Sequence, residues 1–90
     1  MTDQETAEDA TRLAIEFLMQ WMSDDRQAAA KHIAGVLHGE NAPDPTRTVA
    51  GLLNLNMIVL FELAKAHGAE DYRAWAEEYL KQRALRMPEA

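Results

Sequence analysis

Cysteine is absent from this 90-residue chain. No disulfide can staple the fold, and no thiolate can act as a nucleophile or a zinc ligand. The absence fits a reducing compartment, and a cytoplasmic location is expected. Serine occurs once, at Ser23, where a helix cap accounts for it. The four glycines are scattered, so no glycine-rich phosphate loop is present. Strand-like alternation of apolar and polar residues extends nowhere over a useful length. The opening "MTDQETAEDA" lacks a basic region and an apolar stretch, so no secretory leader is expected. The longest unbroken apolar run is Met57 to Phe61, five residues. A spanning helix needs about 20 largely apolar residues, so no membrane span is expected.

What is present is a folded composition, 48% apolar, in a length that suits one domain over residues 1–90. The net charge is −6. Residues 1–25 hold seven acids and one base, Arg12, so this segment carries the whole excess, while residues 26–90 are balanced. Such acidity disfavours duplex DNA and anionic lipid, since phosphate binding relies on Lys and Arg. It permits a protein partner with a basic surface, although a solvated helix face explains it as well. The alanine-rich, acid-rich usage is compatible with a bacterial source.

Apolar residues at helical spacing predict an all-α, up-and-down four-helix bundle, with helices at about 3–22, 25–38, 45–67 and 70–86. Thr2 and Glu5 form a candidate capping box for the first helix. Leu13, Phe17, Ala10, Trp21, Ala14, Leu18, Met22 and Ile15 make its broad apolar face. "SDD", residues 23–25, offers caps for the second helix, whose stripe is Ala29, Ile33, Val36 and Leu37. Gly39 suits a left-handed position after that helix. Asp44 and Pro45 read as N-cap and first position of the third helix, which runs to Gly68. Tyr72, Trp75, Ala76, Tyr79, Leu80 and Met87 form the stripe of the fourth.

The third helix carries two asparagines in "NLNMIVLF". On a wheel, Val59, Leu52, Leu63, Val49, Leu60, Leu53 and Ala64 fill one face, with Asn56 at its middle. Asn54 lies about 160° away. Asn54 is therefore expected in water and Asn56 in the core. A buried amide must be satisfied, at a penalty on the order of 1–3 kcal/mol if it is not. Three roles fit Asn56: an internal hydrogen bond, a symmetric interface, or the lining of a small-ligand pocket. Val49, Asn56 and Leu63 recur every seven residues, with Leu52, Val59 and Ala66 as the companion column. A lone asparagine in such a column sets register and oligomeric state. The opposite stripe, with Leu55, Ile58 and Phe61, is also apolar. A homodimer through the third helix is expected, with Leu55, Asn56, Ile58, Val59, Phe61 and Leu63 at the interface.

Little else points to chemistry. His32 and His38 are about 120° apart on one helix, a poor chelate, and His38 and His67 end helices, where the dipole favours a cation. No carboxylate pair or nucleophile converges on a cleft, so enzymatic activity, a metal and a cofactor are not expected. The fourth helix offers Tyr72, Trp75, Tyr79 and Arg83 as a possible partner surface, although such a stripe is more often core. Arg83 falls among Tyr79, Tyr72 and Ala76 on the buried stripe, where its stem can cover the core edge or its charge can pair with Glu5 or Asp9. The functional expectation is a small helical regulator or adaptor that acts through protein contacts. The alternatives are a ligand-sensing bundle with a pocket near Asn56 and a DNA-associated regulator using the fourth helix. Nucleic-acid binding is disfavoured by the apolar third helix and the long loop before it.

Overall fold

The computed structural model describes residues 3–88, with residues 3–7 as backbone. The fold is all-α. Four helices are present, α1 Asp3–Trp21, α2 Arg26–Leu37, α3 Pro45–Ala66 and α4 Tyr72–Arg86, and there is no strand among the described residues. The candidate capping box of Thr2 and Glu5 lies outside the residues whose side chains are described.

Local chemistry sets the helix ends. The Ser23 hydroxyl donates to the Gln20 carbonyl at 2.6 Å and so finishes α1. Asp25 starts α2, its carboxylate accepting from the Ala28 amide at 3.0 Å. Asp44 does the same for α3, accepting from the Arg47 amide at 3.0 Å, with Pro45 in the first turn, where a missing N–H costs nothing. Asp71, one residue past the expected start, caps α4 by accepting from Ala74 at 3.1 Å.

Gly68, not Gly39, is the left-handed glycine, with φ +74°. The Ala69 amide reaches the Ala64 carbonyl and the Gly68 amide reaches that of Lys65, both at 3.0 Å. This is the two-bond Schellman closure, which needs a left-handed residue and so selects glycine. Gly39 instead sits tightly behind α2, where a Cβ would stand 2.9 Å from the Gly35 carbonyl oxygen.

The chain divides into two compact units, one ending at Leu55 and one beginning at Asn56, so α3 contributes its first half to one and its second half to the other. In the first unit α1 packs on α2, with Ala14, Phe17 and Ala29 buried. Glu16 of α1 and His32 of α2 approach to 3.6 Å at the exposed margin. In the second unit Ala64 and Ala76 are buried, and Phe61 meets Tyr72 with ring centroids 6.3 Å apart. Phe17 is the largest of the buried apolar side chains. Of the broad α1 face, Ile15, Leu18, Trp21 and Met22 stay exposed, and on α4 so do Tyr72, Tyr79, Leu80 and Met87. Helices this short gain most of their stability from packing an apolar face, so much exposed apolar surface leaves the hydrophobic term small.

Candidate functional site: the outer face of the third helix

In the first unit, the side of α3 that packs is the one with the smallest side chains. Gly51 is buried against α1, and a Cβ there would collide with the Ala10 carbonyl oxygen and stand 2.9 Å from the Ala10 Cβ. Only glycine permits this approach. One turn earlier, Thr48 is 7% exposed, and its hydroxyl donates to the Asp44 carbonyl at 3.0 Å, so it can be enclosed without another partner. One turn later, the Asn54 amide donates to Thr11 Oγ1 of α1 at 3.0 Å.

The two asparagines thus exchange the places expected of them. Asn54 is half-buried against α1, and Asn56 is exposed. Hydrophobicity alone ranks the Val49–Leu52–Val59 face as the inner one. Close approach of two helix backbones selects small residues instead, and Thr48 and Gly51 supply them. The Asn54–Thr11 bond is worth about 1 kcal/mol at a half-buried site. Asn54→Ala and Thr11→Val should each lower the unfolding free energy from urea titration by that order. The double variant should lose less than the sum, as a double-mutant cycle would show.

In the first unit the small side of α3 turns inward and its apolar side outward, whereas Ala64, on the same wheel face in the second unit, is buried. Leu53 is 64% exposed, Val49 54%, Val59 53% and Leu52 37%. Asn56 lies among them, and the column Leu52, Val59, Ala66 runs beside Val49, Asn56, Leu63. Of the expected interface residues, Asn56 and Val59 lie on this face. Ile58 is exposed beside Met57, and Leu63 is partly covered. Leu55 and Phe61 are partly covered too, Phe61 by the Tyr72 ring. Val49, Leu52 and Leu53 were assigned to the core by the wheel. The pair Thr48 and Gly51, small residues three apart on the other side, is the signal that reverses it.

In the second unit the aromatic stripe of α4 forms a ladder. Trp75 stacks between His67 and Tyr79, each with centroids 5.3 Å away and planes within 22° and 14° of parallel. Trp75, Tyr79, Arg83 and Arg86 line a shallow groove with Glu78 and Gln82. Arg83 is exposed there rather than lying on a buried stripe. Asp9 has Arg12 beside it at 3.6 Å. A recess in the first unit, lined by Leu13, Val36 and Pro43 with Asp9, Asp44 and Arg47, does not include Asn56.

No family model, curated protein or solved structure matches this chain.

Its function must therefore be argued from the surface itself. By length and composition alone, α3 also meets the requirement for crossing a bilayer, with a mean hydropathy of 1.5 and 11% of that stretch buried.

Proposed function

We propose that the protein is a self-associating helical regulator or adaptor, acting through protein contacts, with the outer face of α3 as its seam. The observation that carries this reading is the exposure of Val49, Leu52 and Leu53 on the first half of α3, whose opposite side is engaged by α1. Val49, Leu52 and Leu53 in the first unit and Met57 and Val59 in the second are each 37–64% exposed, apolar surface on the order of 400 Å² in all. Apolar patches of a few hundred Å² are often functional, and a specific interface takes roughly 800 Å² from each partner. Beyond the seam, Glu8, Asp9, Asp24 and Asp25 are exposed and would face a basic partner surface.

Sedimentation velocity across a concentration series tests self-association. The expected result is a shift from 10.1 kDa toward twice that mass as concentration rises through the micromolar range. A single 10.1 kDa species up to high micromolar concentration would sink the reading.

A further inference from the structure

We infer that the recess in the first unit binds a small zwitterion with an apolar body, of which an α-amino acid with a large apolar side chain is the simplest case. Residues of α1, α2, α3 and the loop between α2 and α3 build it, all within the first unit. Its volume is about 730 Å³, inside the range of roughly 300–1,000 Å³ that small-molecule sites occupy. Ala10 and Leu13 of α1, Val36 of α2 and Pro43 of the loop give it a half-buried apolar floor. Asp9, Asn41, Asp44 and Arg47 line it as exposed polar groups. The lining does not include Val49, Leu52 or Leu53, so this site stands whether or not the chain self-associates.

Charge selects the ligand. Among the described residues no carboxylate pairs with the Arg47 guanidinium. A guanidinium in that state can hold a carboxylate through two parallel hydrogen bonds. Asp44 gives one carboxylate oxygen to the Arg47 amide, which leaves the other for a ligand. Asp9 has only the exposed Arg12 beside it, at 3.6 Å, and such a pair is weak in water. A simple anion would be drawn to Arg47 but repelled by two carboxylates. A simple cation would be drawn to the carboxylates but repelled by Arg47. A ligand with an ammonium and a carboxylate on neighbouring atoms is attracted at both ends. Its remaining atoms then cover the floor, where burying apolar surface adds to binding. Thr48 is no further donor, because its hydroxyl is committed to the Asp44 carbonyl. Selectivity therefore rests on the charged groups and on the fit of the apolar body.

L-Phenylalanine is the probe, titrated into the full chain and followed through the amide shifts of its NMR spectrum. A ligand this small in an open recess should bind with a Kd on the order of 1 mM. Saturable shifts are expected at Leu13, Val36, Asn41 and Arg47, and none along α4. Phenethylamine and 3-phenylpropionate, which each keep one of the two charges, should bind at least about tenfold more weakly, and so should glycine, which lacks the apolar body. Arg47→Gln and Asp44→Asn should each weaken phenylalanine by at least about fivefold. Asparagine caps a helix as well as aspartate does, so α3 keeps its start, and circular dichroism checks both variants. No saturation by phenylalanine up to about 10 mM, ten times the expected constant, overturns the site. Shifts confined to the second unit overturn it as well. Either one-charge relative binding as tightly as phenylalanine overturns the zwitterionic class, and glycine doing so removes the floor from recognition. Unchanged affinity in both folded variants would place the ligand elsewhere.

Discussion

Gly51→Ala is expected to destabilise the protein, although alanine is the better helix former. Inside a helix the exchange ordinarily gains about 1 kcal/mol. At Gly51 the new methyl meets the Ala10 backbone, which cannot rotate away as a side chain could. Overpacking of that kind costs roughly 1–3 kcal/mol, with the upper end expected against main chain. The balance should be a net loss of about 1–2 kcal/mol, or a fall in melting temperature on the order of 4–16 °C at this size. Gly51→Leu should lose more, because α1 must move by the thickness of a side chain. Gly35→Ala is the control. Nothing lies within 4 Å of a Cβ there, in the last turn of α2, so a gain of about 0.5–1 kcal/mol should appear unopposed. Thermal melts of the three variants at one protein concentration check the order. A Gly51→Ala protein as stable as the Gly35→Ala protein would contradict the close contact of α1 with α3.

The second large effect is expected from charge on the outward face. Val49→Glu and Val59→Glu replace side chains that are 54% and 53% exposed, so the subunit's own packing should change little. In a symmetric seam each substitution sets two carboxylates against each other away from water. A dissociation constant raised by at least about 100-fold, close to 2.8 kcal/mol, is expected for either. Sedimentation should find single chains at concentrations where the unaltered protein pairs. The melting temperature of the unaltered protein should rise with concentration, as linkage to association requires, and that of the variants should not. Unchanged mass in both variants would remove α3 from the interface.

Much of the fold could be read from the residues, because the deciding interactions are local. Asp44 before Pro45, Asp25 before α2 and the glycine after α3 announce helix ends within a few residues of chain. The choice between Gly39 and Gly68 was less legible, since both follow a helix and only the closing hydrogen bonds tell which one turns left-handed. The faces of α3 were least legible. A wheel orders residues by apolarity and assigns the greasiest side to the interior. It carries no knowledge that Ala10 of α1 will press against the backbone, which makes the absence of a side chain at Gly51 worth more than the bulk of Leu52 or Val59. Asn54 and Asn56 changed places for that reason alone. The heptad spacing of Val49, Asn56 and Leu63 was visible from the start, and the interior assignment failed for Val49 and Asn56, while Leu63 is partly covered.

Each compact unit contains one indole, in distinct surroundings. Trp21 lies under the Arg26 guanidinium, 5.4 Å from its ring centre, whereas Trp75 is sandwiched in the aromatic ladder. The protein therefore carries a separate optical probe in each half. Emission from Trp21→Phe and Trp75→Phe variants, followed through denaturation, would tell whether the shared helix makes both halves melt as one or lets them come apart in sequence.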